Sequence, residues 1–143
     1  VLLVLIPALT SAEMPGWPAS VNARSRRIIS FAGCLAGYAG ALGAALLGRA
    51  PALVTAMAAA YLLSSVFLAA VNIFYKASGH GCGVAGPVTA LLVIYHWAAI
   101  PAIILLPLIA WARRSIGEHT LPQIAAGAAV SVCATLTAFY VYR

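Results

Sequence analysis

Charge is what this sequence has least of. Only 7% of its 143 residues are Asp, Glu, Lys or Arg, where a soluble domain carries about 25%. Hydrophobic residues make up 64%, which leaves too little polar surface to coat a water-soluble globule. The composition predicts an integral membrane protein. Long polar linkers are missing as well, so residues 1–143 read as a single domain. Acidic residues are reduced to Glu13 and Glu118. With no carboxylate cluster, no divalent-metal site can be drawn, and the chemistry expected of this chain needs neither a metal nor another cofactor. Cys34, Cys82 and Cys133 are far apart in the chain, which excludes a disulfide framework and a zinc site by spacing. The net charge is +6, but the basic residues are split among short loops, a poor footprint for nucleic acid. Such an excess orients a membrane chain or binds anionic groups.

Two polar islands interrupt the apolar background. The first is Lys76-Ala77-Ser78-Gly79-His80-Gly81-Cys82-Gly83. The second runs from Trp111 to His119 and carries Arg113, Arg114 and Glu118. Upstream, Val1–Ala12 is apolar but shorter than the roughly 20 residues a membrane helix needs. It reads as part of a first membrane helix or as the tail of a signal peptide. Glu13–Asn22 reads as an interfacial loop with Trp17 as a headgroup-level anchor. After Arg24, Arg26 and Arg27, the run from Ile28 to Gly48 is long enough to span. Its Gly33-xxx-Gly37 pattern suits close helix approach, first within its own bundle and second in a dimer. Gly48-Arg49-Ala50-Pro51 predicts a tight turn into a second span, Ala52 to about Tyr75. This hairpin brings the arginine cluster to the same side as the first island.

The stretch between the islands allows two topologies. One long span would put them on opposite faces. Two short helices, about Pro87–Tyr95 and Pro101–Ala112, with His96-Trp97 as an interfacial turn away from the chemistry, would put them on the same face. The last span opens at Thr120-Leu121-Pro122-Gln123, where Thr followed three residues on by Gln fits a capping box. It ends with Tyr140 and Tyr142, suited to an aromatic belt. Tyr38, Tyr61 and Tyr95 read as packing or interface residues.

Polar residues in so apolar a chain are costly, so each needs a reason. Together the islands supply two histidines and three cations, with Ser78. The glycines permit turns whose amides point at an anion. The arginine fork suits phosphate. One neutral imidazole can attack phosphorus while the other protonates the leaving oxygen.

The islands resemble the second and third motifs of the type 2 phosphatidic acid phosphatase (PAP2) superfamily. Ser78-Gly79-His80 matches the second, with Ala77 where the family has proline. Arg113, five residues, then His119 matches the third, with Ala112 for serine and Gln123 for the family's Asp. The first motif is degenerate: Arg24-Ser25-Arg26-Arg27 stands where it should, but Ser20 and Ile28 hold its lysine and proline positions. The resemblance covers roughly residues 24–127. It implies an all-α membrane bundle of about five or six transmembrane helices with its motifs on one face. It also implies a lipid-phosphate phosphatase or phosphotransferase acting on a phosphatidate-like lipid or a polyprenyl phosphate or diphosphate. On that footing His119 is the nucleophile that becomes phosphohistidine, His80 the general acid, and Gln123 the residue that orients His119. Arg113, Ser78, the Gly79 amide and Lys76, Arg24 or Arg27 hold the phosphoryl oxygens.

The implied setting is a multi-pass protein of a plasma or inner membrane. Its partners are the bilayer and its lipid phosphate, with no nucleic acid, alone or as a homo-oligomer or complex subunit. The positive-inside rule puts the cation-rich face in the cytoplasm, whereas the resemblance suggests a site facing away from it. Gln123 and the broken first motif also fit a rival, a catalytically inactive PAP2-like subunit that binds lipid headgroups or a protein partner.

Overall fold

The computed structural model describes the backbone of residues 19–142, with side chains at Ile29 and from Phe31 onward. Val1–Ala12 and Trp17 lie outside the described residues, as do the side chains of Arg24, Arg26 and Arg27. The described chain is helical throughout, without strands. Helix α1 is Ala19–Leu47 and α2 is Ala52–Phe74. Helix α3, Gly79–Tyr95, runs into a 3₁₀ segment, His96–Ile104. Helices α4, Leu105–Ser115, and α5, Leu121–Val141, follow. Residues 19–22, expected in a loop, already belong to α1.

Each turn has a physical cause. At the end of α1 the Ala50 N–H reaches the Ala45 carbonyl and the Arg49 N–H reaches that of Leu46. This is a Schellman pair, with Arg49 in the left-handed position at φ 49°. Gly48 comes one residue too early to take that position. At the end of α3 the helix breaks at His96, whose φ is also positive, 52°. Beyond it the chain doubles back.

Three of the described helical stretches are long and apolar enough to cross a membrane: Ala52–Phe74, Gly79–Ser115 and Leu121–Val141. Phe31–Leu47 is a shorter apolar helix. Length and composition thus give three candidate stretches where five or six transmembrane helices were expected; basic residues open α1, and Gly79–Ser115 counts as one stretch by this measure although the chain turns at His96.

The interior is built of small residues. Ala56, Ala59, Ala60, Ala85, Ala90, Ala134 and Ala138 are buried, with Ser64, Ser78, Ser131 and Thr135. The large apolar side chains face outward, Phe74 at 91% exposure and Trp97 at 81%. Water would penalise that distribution; lipid does not, and it leaves close packing and hydroxyl bonds to hold the helices. Antiparallel α1 and α2 are clamped by stacked Tyr38 and Tyr61, centroids 5.3 Å apart. Ser64 of α2 meets Ser131 of α5 at 3.4 Å.

Close approach is concentrated between α3 and α5. A Cβ added to Gly127 would collide with the Ser78 carbonyl oxygen, and one on Gly81 would stand 2.7 Å from that of Ile124. By contrast, nothing lies within 4 Å of a Cβ built on Gly37, Gly40 or Gly43. The small-residue pattern of α1 therefore does not serve packing against any described neighbour at those glycines.

Candidate phosphate site at the helix termini

The first island is not the loop its glycines suggest. Ser78 caps α3, its Oγ accepting from the Gly81 N–H at 3.2 Å, so Gly79, His80 and Gly81 form the first helical turn. Pro87, expected to open this helix, lies inside it instead. The reason is the cap: once Ser78 holds Gly81, helix propagation begins eight residues before the proline. The Gly79 and His80 N–H groups keep no backbone partner among the described residues. They point out of the positive end of α3, as an anion site requires.

The second island is docked onto the first. The Ser78 N–H donates to the Gln123 carbonyl at 2.9 Å, and Lys76 Nζ donates to the Glu118 carbonyl at 3.1 Å. These bonds tie the start of Gly79–Ser115 to the chain just beyond its end, which is the same-face arrangement. His96 sits at the opposite end, grouped with Ala52, Tyr140 and Tyr142.

Around His119 the geometry fixes a tautomer. Gln123 Oε1 accepts from the Thr120 N–H at 3.1 Å, one arm of the expected capping box. A backbone N–H can only donate, so the amide oxygen, not its nitrogen, faces this corner. The same oxygen lies 3.3 Å from His119 Nδ1. Nδ1 must then carry the hydrogen, and in the neutral ring the Nε2 lone pair is left free.

The cations are unevenly engaged. Arg113 Nη1 donates to Glu118 Oε2 at 2.7 Å, with the arginine side chain 21% exposed and the glutamate 53%. This bond holds the Glu118 carboxyl below the usual carboxylate range. Arg113, Glu118 and His119 all lie within electrostatic range of His80. Lys76 and Arg114 are exposed beside His119 in a shallow polar depression that also includes Gln123.

On its other side the site meets a cavity of about 570 Å³, running between α1, α2, α3 and α5. Gly79, His80 and Gly83 line one end; Phe31, Met57, Leu68 and Ala90 supply apolar wall, with Ser64, Ser131 and Thr135 on it. Its volume is in the range of small-molecule sites.

The structure thus gathers Lys76, the Gly79 amide, His80, Arg113, His119 and Gln123 at one end of the bundle. Ser78 differs: it is fully buried and its hydroxyl is committed to the cap. Ser78 Oγ thus serves the helix cap, where a phosphate contact was expected. Two features were not read from the sequence. Glu118 pairs with Arg113, and Tyr38 and Tyr61 line a cavity as well as packing. A signal for the first was present, since Glu118 and Glu13 are the only acids in the chain. For the second there was none.

No protein-family model matches the chain, and no curated protein or solved structure matches it.

Proposed function

We propose that this protein is a metal-independent lipid-phosphate phosphatase or phosphotransferase of the PAP2 type. The observation that carries the reading is the convergence of two imidazoles, two cations and a free helix N-terminus at one end of an otherwise apolar bundle. Polar groups in such a chain are retained for a reason.

In this reading the phosphoryl oxygens are held by Arg113, Lys76 and the Gly79 and His80 amides, with Arg24 or Arg27 as further donors. His119 Nε2 attacks phosphorus while the bond to the lipid oxygen breaks. Protonated His80 gives its proton to that departing oxygen. Neutral His80 then takes a proton from water, whose oxygen attacks phosphorus as the P–N bond breaks. Inorganic phosphate leaves, and His80 is again protonated. If an alcohol takes the place of water, the same step is a phosphotransfer. Gln123 supports His119 by accepting its Nδ1 hydrogen, but without the charge that a carboxylate would add to an imidazolium.

The substrate class follows from the site's two neighbours. A polar depression lies beside His119, and a mostly apolar cavity opens at His80. An amphiphile fits both, with its phosphate at the helix ends and its chain along the cavity. The large outward-facing apolar residues support a bilayer setting. There the chain from Gly79 to Ser115 makes one pass out and one back, for five passes among the described residues.

The test is phosphate release from an alkyl phosphate and from phosphatidate by purified protein in detergent. His119→Ala should lose roughly a thousandfold or more. His80→Ala should lose about 10²–10⁴ on an alkyl phosphate. It should lose far less on p-nitrophenyl phosphate, whose leaving group needs no proton. Turnover indifferent to His119→Ala overturns the mechanism.

The Arg113–Glu118 bond and the uncharged Gln123 favour a second reading, a catalytically retired subunit that binds headgroups. It is supported if purified protein binds phosphatidate vesicles yet releases no phosphate.

A further inference from the structure

The Arg113–Glu118 pair is the one feature of the site that works against phosphate binding. Arg113 is the arginine at the third-motif position, and one nitrogen of its fork, Nη1, is already engaged at 2.7 Å. Its occupant is an oxyanion, the same kind of group as a phosphoryl oxygen. Glu118 is also the sole acid among the described residues. In a chain with so little charge, its position next to Arg113, Lys76 and His119 is a specific one.

We propose that Glu118 is a built-in competitor for the substrate's phosphate: its carboxylate holds Arg113 while the site is empty and gives it up when a phosphate arrives. This rests on the phosphate-site reading above. The geometry supplies the means for the exchange. Glu118 lies in the short connection between α4 and α5, not in a helix. Gly117 beside it has φ 71°, a conformation open to glycine. The carboxylate side chain is about half exposed, so on leaving Arg113 it has water to enter. The main chain of Glu118 stays anchored, because Lys76 Nζ bonds its carbonyl and not its carboxylate. The side chain can therefore swing without undocking the two islands. If it stayed, two anions would share one guanidinium beside Lys76, His80, Arg114 and His119, and the carboxylate would repel the incoming charge.

The device has two effects. It keeps Arg113 ordered and neutralised at the lipid surface when no substrate is bound. It also weakens retention of the product, inorganic phosphate, since the internal carboxylate is always at hand to replace it.

The experiment measures inorganic phosphate binding by calorimetry on the full chain in detergent, alongside KM for an alkyl phosphate. Glu118→Gln is nearly isosteric and lies on an exposed connection, so the fold is retained. It should bind phosphate about fivefold more tightly, the weight of one exposed ion pair, and KM should fall in parallel. In an Arg113→Ala background the same change should have no effect. Weaker binding in Glu118→Gln would mean that the carboxylate orients Arg113 for the ligand, and overturns the proposal. Equal binding overturns it too, as does absence of phosphate binding in both proteins. Turnover that depends on His119 but is indifferent to Glu118 sinks this inference alone. Tighter phosphate binding in Glu118→Gln without any turnover sinks the enzyme reading and leaves the competitor standing.

Discussion

The side-chain oxygen of Gln123 serves two donors, the Thr120 N–H and His119 Nδ1. Replacement outcomes follow from reach. Gln123→Glu keeps the length and the acceptor and adds a charge beside the imidazole, so phosphate release from an alkyl phosphate should persist. Gln123→Asp is one methylene short of holding both donors. It should lose activity, even though Asp is what the resembling family carries at this place. Weakening the Gln123 arm of the capping box should also lower the unfolding midpoint. Glu118 gives a pH dependence of its own. Its carboxyl is held below the usual range by the Arg113 hydrogen bond. Such a group contributes its ion pair above its pKa and loses it as pH falls through that value. The difference in phosphate affinity between wild type and Glu118→Gln should therefore be full at neutral pH and vanish in acid, below the ordinary glutamate range. Taking the ratio at each pH cancels the histidines. The Thr120–Gln123 spacing was legible in the sequence because a capping box is a local pattern. The burial of Ser78 was not, since it depends on Gly127, a residue 49 positions away that lets the backbone of α5 come up against it.

Helices α3 and α5 hold the site, and their glycines divide into two kinds that look alike in sequence. Gly127→Ala drives a methyl into the Ser78 carbonyl, with backbone on both sides and no room to give. The expected cost is about 1–3 kcal/mol of overpacking, together with displacement of the α3 N-terminus and loss of phosphate binding. Gly40→Ala in α1 meets open space. It should leave the site unaffected and stabilise its helix by roughly 0.5–1 kcal/mol. Thermal unfolding in one detergent compares the two directly. Helix boundaries were harder to read. Apolar periodicity is weak in a chain where most residues are apolar, so proline was the strongest punctuation available. It pointed to Pro87, while the helix starts at Gly79, eight residues earlier, behind the Ser78 cap.

For the molecule as a whole, the all-helical architecture was legible because only helices satisfy every backbone group within so apolar a chain. Its connectivity was not, because one long span and a returning pair have the same composition. Long-range bonds bring the two ends of that stretch together in the fold: Lys76 to Glu118 and Ser78 to Gln123. In sealed membranes, with the native cysteines replaced, Lys76→Cys and Arg114→Cys should react with an impermeant thiol reagent from the same side. Arg49→Cys, in the turn between α1 and α2, should react from the other. Labelling of Lys76→Cys and Arg114→Cys from opposite sides would show that the chain does not return.

The turn at His96 is exposed, lies at the end of the bundle remote from the candidate site, and holds a non-glycine residue at positive φ. A nick there would relieve local strain and touch none of the bonds that join the islands. Two polypeptides, one ending at Tyr95 and the other starting at His96, would then each carry one of the site's two imidazoles, His80 and His119, and be inert apart. Co-expressed, they should reassemble along the α3–α5 seam, making the protein a natural starting point for a split reporter of encounters within a membrane.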